Sequence, residues 1–125
     1  MSAEFNGRTA VVTGAGSGIG LATARRLKES GARVFGLDLN AGDMGEIAEF
    51  IHCDVGSSAS VAEAFAVIGE RTEVIDVLVN NAGIGAVGGI EQATDDEWTS
   101  VLNANVAGIS RVSSAALPLM RNSDA

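Results

Sequence analysis

Short apolar segments alternate with helical patterns along this 125-residue chain, and that alternation constrains its fold more than any other feature. The segments predicted to be buried strands are residues 8–13, 32–38, 50–55 and 73–80. They are too apolar for a sheet with one solvated face. We therefore expect a parallel sheet that is covered by helices on both sides and joined by right-handed crossovers.

Helical patterns separate these strands. The first helix follows a glycine-rich turn, and its apolar face consists of Gly20, Ala24 and Leu27. Ser30 and Gly31 are predicted to end it. A second helix begins with Ser57 as its N-cap and has an apolar side formed by Val61, Phe65 and Ile68. One or two helical turns are also predicted near residues 46–50.

The longest helix is predicted to begin at a capping box formed by Thr94 and Glu97. Its apolar stripe consists of Trp98, Leu102, Asn105, Ile109, Val112, Ala116 and Leu119. Asn105 is therefore expected to be buried, whereas Asn103 should project to the polar side. Because a buried amide needs hydrogen-bond partners, Asn105 either bridges backbone groups in the core or has a functional role.

Charge and composition argue against several classes of protein. Sixteen acidic residues and eight basic ones give a formal charge of −8, which repels nucleic acids and anionic membranes. No apolar stretch approaches the roughly 20 residues that span a bilayer, and residues 1–8 do not resemble a signal peptide. The single cysteine cannot form an internal disulfide, and His52 has no second ligand at metal-binding spacing. We expect a cytoplasmic protein without a metal site.

Residues 13–20, TGAGSGIG, follow the first predicted strand and open the first helix. Such a turn is an anion site, because the first helical N–H groups lack partners and the helix dipole is positive there. The strict dinucleotide pattern G-x-G-x-x-G is not met, since position 19 is Ile19. The pattern present is T-G-x-x-x-G-I-G, which uses Gly14, Gly18 and Gly20 and predicts phosphate binding.

Asp38 ends the second predicted strand, eighteen residues after Gly20. A carboxylate there can accept hydrogen bonds from the adenosine ribose hydroxyls, and its charge would repel a 2′-phosphate. Ser17 precedes Gly18, so the turn itself holds no cation for that phosphate. The sequence therefore predicts NAD rather than NADP, with a generic glycine turn beside a surface aspartate as the structural alternative.

Four motifs occur in order: TGxxxGIG at 13–20, CDV at 53–55, NNAG at 80–83 and NANVAG at 103–108. Together they resemble the main branch of the short-chain dehydrogenase/reductase family over essentially the whole chain. The resemblance implies an α/β fold, a Rossmann-type doubly wound parallel sheet, truncated after the fourth strand and the following helix. Residues 1–125 would then be the N-terminal dinucleotide-binding part of a single Rossmann domain.

The resemblance also implies contacts with the cofactor. Asp54 would meet the adenine amino group, and Val55 would offer backbone contacts to the ring. The implied cofactor-binding residues are Gly14, Ser17, Gly18, Ile19, Gly20, Asp38, Asp54, Val55, Asn81, Ala82 and Gly83. Asn105 would be the catalytic helper that holds a water in the proton relay. For Asn80, a role in binding and a purely structural role both stay open.

The family's catalytic serine, tyrosine and lysine have no counterpart in this chain. It contains no tyrosine, and its one lysine, Lys28, lies on the polar face of the first helix. The chain alone is therefore expected to be inactive, as the N-terminal part of a longer enzyme. By the resemblance, that enzyme would transfer hydride between NAD and a secondary alcohol or ketone, as a homodimer or homotetramer.

Other functions would use some of the same residues. A non-catalytic nucleotide-binding or assembly module consisting of this half alone stays open. A methyltransferase would use the G-x-G-x-G pattern at Gly14, Gly16 and Gly18, but the NNAG motif and Asn105 disfavour it. Ser17 disfavours the sugar-nucleotide epimerases, which carry a glycine at that place. No nucleic acid or membrane is expected as a partner.

Overall fold

The computed structural model describes residues 3–85 and 89–125. The strands are β1 (Thr9–Thr13), β2 (Arg33–Asp38), β3 (Glu49–His52) and β4 (Val77–Val79). The helices are α1 (Gly18–Glu29), α2 (Ser58–Arg71), α3 (Asp95–Leu102) and α4 (Gly108–Met120), with a π-helical turn at Asn103–Ala107 between the last two. Among the residues described, no helix is both long and apolar enough to cross a membrane.

The sheet is parallel throughout, with the strand order β3-β2-β1-β4. β1 is one of the two inner strands, and all five of its residues are buried. Its middle residue, Val11, pairs with Phe35 on one side and Leu78 on the other. This arrangement confirms the predicted Rossmann-type α/β fold and explains why its strands are apolar on both faces.

Two apolar cores lie on opposite faces of the sheet. Alternate residues of β1 point to different cores, because successive side chains of a strand face opposite sides. One core joins the sheet to α2 and α4 through Val11, Phe35, Phe65, Ile68, Val112 and Ala116. The other joins it to α1 through Ala10, Val12, Ala24, Leu27 and Val34. The apolar faces predicted for the first two helices are thus confirmed.

The region before β3 differs from the prediction. Residues 45–48 form turns and bends rather than helix, and the strand already begins at Glu49. Glu49 pairs with Phe35 in the ladder and forms an ion pair with Arg33 at 2.7 Å, which fixes it beside β2. The strand also ends at His52, so Cys53 and the next two residues lie in a loop.

The fourth strand is shorter than its apolar segment. Only Val77–Val79 pair with β1, whereas the prediction covered residues 73–80. Before the strand, the N–H group of Ile75 bonds the carbonyl of Leu119 at 3.2 Å. The N–H of Asp76 bonds Thr9 at 2.8 Å. Ile75 is apolar because it fills the core next to α4, and not because it is a strand residue.

The predicted apolar stripe of the longest helix disagrees with the structure at the N-terminal end of the stripe. Trp98, Leu102 and Ile109 are 51%, 51% and 45% exposed. The residues buried instead are Ala104, Gly108, Val112 and Ala116. The N–H of Gly108 bonds the carbonyl five residues earlier, so the π turn holds one extra residue. The extra residue moves the buried positions before Val112 by one residue, from Asn105 and Ile109 to Ala104 and Gly108. From Val112 onward, the predicted stripe agrees with the structure.

Asp76 anchors the start of β1 to the C-terminal residues. Its side chain, only 4% exposed, accepts hydrogen bonds from the Thr9 N–H at 2.8 Å and the Ser123 hydroxyl at 2.5 Å. Arg8 contributes an ion pair at 3.3 Å and also binds Asp124. Burial acts to raise the pKa of Asp76, but these hydrogen bonds and the charge of Arg8 outweigh it and hold the pKa below its ordinary value.

The lowered pKa of Asp76 predicts that its stabilising effect disappears in acid. A depressed pKa contributes stability above the unfolded value of about 3.9, and this contribution falls as the pH drops through the lower folded value. Urea unfolding of wild type and Asp76→Asn should therefore differ most at neutral pH, with the difference shrinking below about pH 4. A difference that stays constant down to pH 2 would contradict this assignment.

Candidate functional site

A cleft of about 300 Å³ opens at the carboxyl ends of the strands. Eight of the predicted cofactor-binding residues line it: Gly14, Ser17, Asp38, Asp54, Val55, Asn81, Ala82 and Gly83. Lining residues not anticipated from the sequence are Leu39, Cys53, Ile84 and Ala104. Gly18 and Ile19 lie exposed in the first turn of α1, and Gly20 is buried beneath them. In a parallel α/β sheet, this end of the strands is where ligands bind.

The glycine turn approaches its neighbours too closely for side chains. A Cβ atom on Gly20 would overlap the carbonyl oxygen of Gly14 and would lie 2.5 Å from the side-chain nitrogen of Asn81. Gly14 and Gly18 have φ angles of +67° and +57°. Ser17 is the N-cap of α1, yet its side chain does not cap the helix. The helix N-terminus beside the cleft therefore keeps the character of an anion site.

Asp38 is bound to this turn. Its Oδ2 accepts a hydrogen bond from the N–H of Gly16 at 2.9 Å, and its Oδ1 accepts one from the N–H of Leu39 at 2.7 Å. The carbonyl of Gly16 accepts in turn from the N–H of Asp43 at 3.0 Å. Gly42, at φ +53°, packs so tightly on Gly16 that a side chain there would overlap it. These contacts attach the segment after β2 to the glycine turn and fix the Asp38 carboxylate at the edge of the cleft.

Thr13 has a role that the sequence interpretation missed. Its hydroxyl oxygen accepts hydrogen bonds from the N–H groups of Asn81 and Ala82, at 3.0 and 2.9 Å. The side-chain amide of Asn81 donates to the carbonyl of Gly14 at 3.2 Å. One buried hydroxyl therefore joins the end of β1 to the NNAG loop. The available signal was a polar residue ending the most buried strand directly before the glycine turn.

Asn105 holds the loop after β4. Its Oδ1 accepts from the N–H of Ile84 at 2.7 Å, and its Nδ2 donates to the carbonyl of the same residue at 2.8 Å. Asn105 therefore bridges the N–H and the carbonyl of Ile84. It is half-buried, as is Asn103, so the expected contrast between them is wrong. The π turn gives both side chains partners, and Asn103 donates to the carbonyl of Gly56 at 3.0 Å.

The loop between β3 and α2 forms another wall of the cleft. Oδ1 of Asp54 accepts from the N–H of Gly56 at 2.9 Å, and the N–H of Asp54 bonds the Ser60 hydroxyl at 2.8 Å. Burial, and then the charge of Asp54, raise the pKa of Cys53 to about 11. Its thiol therefore stays protonated at neutral pH and serves as a small buried side chain. Asn80 lies outside the cleft lining, and its amide donates to the Ser113 hydroxyl at 3.2 Å.

The cleft can bind and orient but holds no strong acid–base pair. Among the residues described, its lining contains two carboxylates, one side-chain amide and backbone groups, and it includes no lysine or arginine. Lys28 lies near the far end of α1, about 16 Å of helix away from Ser17, and donates to the carbonyl of Glu46. The chain contains no tyrosine. The arrangement is suited to recognising an anionic, ribose-bearing ligand.

A glycine turn between β1 and α1, with an acidic residue at the end of β2, is typical of Rossmann-type folds that bind nucleotides. The family model for short chain dehydrogenases matches residues 8–125. The chain therefore belongs to the short-chain dehydrogenase family.

Two curated relatives illustrate the likeness. The chain is 37% identical to the 3-ketodihydrosphingosine reductase of Bacteroides thetaiotaomicron, with 89% of this chain and 41% of that protein covered. It is 38% identical to the D-threitol dehydrogenase of Mycolicibacterium smegmatis, with 84% and 44% covered. The chain thus spans less than half the length of these two relatives, and half the length of others that it matches.

A solved structure gives the same result in three dimensions. The NADP active-site complex of RhlG from Pseudomonas aeruginosa superimposes with a TM-score of 0.89 at 32% identity. The match covers 100% of this chain and 53% of that one. The likeness therefore extends over the complete fold described above.

Proposed function

We propose that this chain is the cofactor-binding half of an NAD-dependent oxidoreductase that interconverts a secondary alcohol and a ketone. The observation that carries the proposal is the position of Asp38. Its carboxylate is held at the edge of the cleft by the N–H of Gly16, 2.9 Å away, within the turn that would hold the pyrophosphate. From there it can accept hydrogen bonds from ribose hydroxyls.

The residues of the cleft fit a dinucleotide. The absence of side chains at Gly14 and Gly20 lets the turn pack directly against Asn81, and the N-terminus of α1 in this turn would attract a pyrophosphate. Asp54 and Val55 would contact the adenine ring from the loop after β3. Ser17, Gly18, Ile19 and the segment Asn81, Ala82 and Gly83 would complete the contacts along the ligand. These assignments follow the family resemblance, and the cleft brings most of them together.

The preference for NAD follows from charge. Asp38 would lie beside the ribose 2′-oxygen, where its negative charge repels the additional phosphate of NADP. Ser17 is uncharged, and no arginine or lysine lines the cleft among the residues described. RhlG was solved with NADP, so the family fold alone does not decide the choice of cofactor. The side chains around Asp38 carry this part of the proposal.

The nicotinamide cofactor supplies the hydride acceptor or donor when it is bound. Oδ1 of Asn105 has two lone pairs, and the N–H of Ile84 occupies one of them. We assign the other to a water that passes protons toward the substrate oxygen. The catalytic serine, tyrosine and lysine are assigned to sequence outside these 125 residues, so this chain alone would bind without turnover.

A non-catalytic nucleotide-binding or assembly module is the second candidate. It is favoured by one observation: the cleft lining described offers carboxylates, an amide and backbone groups for binding, but no tyrosine, lysine or arginine side chain for proton transfer. We further propose a cytoplasmic homodimer or homotetramer for the parent enzyme. The exposed apolar side chains of Trp98 and Leu102 on α3 agree with such an assembly.

Titration of the purified native gene product with NADH and NADPH tests the proposal. Nicotinamide fluorescence reports binding, and a panel of secondary alcohols with NAD reports turnover. We expect NADH to bind in the micromolar range and at least tenfold more tightly than NADPH. Failure to bind either cofactor at millimolar concentration would exclude the nucleotide role, and binding without turnover of any alcohol would favour the second candidate.

Removing the charge of Asp38 should narrow the preference for NADH. In Asp38→Ala we expect NADH to bind about tenfold to a hundredfold more weakly, because a hydrogen bond to a charged group contributes about 1.5–3 kcal/mol. The affinity for NADPH should fall less, because the repulsion between Asp38 and the 2′-phosphate also disappears. Asp38→Asn is the matched variant, because it removes the charge but retains an oxygen for the N–H of Gly16. An unchanged NADH/NADPH ratio in both variants would refute the role of Asp38.

A further inference from the structure

Arg111 makes a set of hydrogen bonds that the proposed function does not use. Its Nη1 donates to the carbonyls of Val55 and Asn103, at 3.1 and 3.0 Å. Its Nη2 donates to Oδ1 of Asn103 at 2.5 Å, and its Nε donates to the Ser58 hydroxyl at 3.2 Å. The guanidinium group therefore has four oxygen acceptors and is half-buried between α4 and the loop after β3.

The acceptors of Arg111 are neutral. None of the ion pairs found among residues 3–85 and 89–125 includes it. A guanidinium group presents its donors in a rigid planar fork, so one side chain can fix several backbone oxygens in a defined arrangement. The geometry is therefore that of a clamp between two backbone segments, in contrast to a surface ion pair.

The clamp joins the π turn to the adenine side of the cleft. Ser58 is the first residue of α2, and Val55, three residues before it, lines the cleft next to Asp54. Asn103 reinforces the same junction by donating to the carbonyl of Gly56 at 3.0 Å. The helix also lies very close here, since a Cβ atom on Gly108 would be 3.1 Å from the side chain of Val55. These contacts hold two segments that are far apart in sequence in a fixed relative position.

The π turn contacts a second wall of the cleft through Asn105, which holds Ile84 in the loop after β4. We infer that Arg111 and Asn103 are positioning residues that hold the loop of residues 54–58 and thereby set the affinity for the adenosine end of the dinucleotide. This inference rests on the proposed function. On this inference, the π turn sets the distance between the two walls of the cleft, and the ligand would lie between them.

Arg111→Met in the native gene product tests the inference. We expect the dissociation constants for NADH and for ADP to rise by about tenfold together, because ADP carries the adenosine and phosphates of the dinucleotide but lacks the nicotinamide. Amide hydrogen exchange should become faster in residues 54–58 but not in β1, whereas a general loss of stability would affect both. Arg121→Met is the matched control, since Arg121 lies exposed at the end of the same helix and should leave both constants unchanged.

Arg111→Lys keeps the positive charge but loses the fork, so it should weaken NADH and ADP nearly as much as Arg111→Met. Arg111→Lys also tests the inference if the Arg111→Met protein does not fold. Variants that bind both ligands as wild type does would overturn the inference while leaving the proposed function intact. If the wild-type gene product itself binds no NADH, the proposed function is wrong, and the inference about the adenosine end is overturned with it.

Discussion

Gly20→Ala is expected to abolish cofactor binding and to destabilise the protein by about 3 kcal/mol, the upper part of the range for overpacked sites. The new methyl group would overlap the carbonyl oxygen of Gly14 and press on the side-chain amide of Asn81. These atoms cannot move aside easily, because Gly14 bonds Leu37 at 2.7 Å and the Asn81 backbone bonds Thr13 at 3.0 Å. The first turn of α1 must therefore shift, and its N–H groups shift with it.

Chemical denaturation measures the loss of stability in Gly20→Ala, and NADH fluorescence measures binding. Gly69→Ala is the matched control, because Gly69 lies exposed inside α2 with open space around its Cβ position. There alanine should stabilise the helix by up to about 1 kcal/mol, so the same substitution is expected to have opposite signs at the two sites. Wild-type NADH affinity in Gly20→Ala would show that the turn does not hold the pyrophosphate.

Thr13→Val should cost about 2 kcal/mol of stability and weaken NADH by tenfold or more. Valine fits the space of threonine but removes the oxygen that accepts from Asn81 and Ala82. Two half-buried N–H groups would then lack their acceptor, and the loop of residues 81–83 would lose its attachment to β1. The predicted cofactor contacts of this loop depend on that attachment.

Thr13→Ser separates the hydroxyl from the shape of the side chain. Serine keeps the acceptor and loses only a methyl group, so it should retain most of the NADH affinity while losing some stability in the buried strand. Denaturation curves and NADH titrations of the two variants can be compared directly. If Thr13→Ser weakens NADH as much as Thr13→Val does, the packing of the methyl group, rather than the hydroxyl bridge, determines the loop position.

The candidate site depends on contacts between turns that follow different strands. Asp38 holds the glycine turn through Gly16, and Thr13 holds the NNAG loop. Asn105 and Arg111 then attach the loops after β4 and β3 to the π turn. Each contact joins the carboxyl end of a strand to a neighbouring segment. The cleft is therefore built of short loops on a rigid sheet, the usual location of a binding site in such folds.

Features governed by neighbouring residues were predictable. Ala24 and Leu27 repeat at helical spacing, so the buried face of α1 follows from its sequence. Thr94 caps α3 as predicted, with its hydroxyl oxygen accepting from the N–H of Glu97 at 3.2 Å. Asp38 was placed at the end of β2 by the length of the apolar segment before it. In each case the physical cause lies within a few residues.

The predictions that are wrong depend on contacts with residues farther away in the sequence or on an irregular helical turn. The apolar Ile75 was assigned to a strand, but it packs on α4 and only the next residues pair with β1. Trp98 and Leu102 fit a helical stripe, but α3 buries none of its residues, and the extra residue of the π turn moves the buried positions to Ala104 and Gly108. The expectation that Asn103 lies on the polar side likewise assumes an unbroken helix. A regular periodicity cannot reveal where a helix departs from its own period.

The sequence alone determined the class of fold and the location of the glycine turn and its acidic partner, because strand alternation, helix periodicity and turn chemistry are local properties. Only the tertiary structure decided which side chains join the loops. Thr13 meets Asn81 across 68 positions, and Arg111 meets Val55 across 56. Hydrogen bonds of this kind form because the parallel sheet brings the carboxyl ends of its strands together, and no pattern within either segment encodes the distance between them.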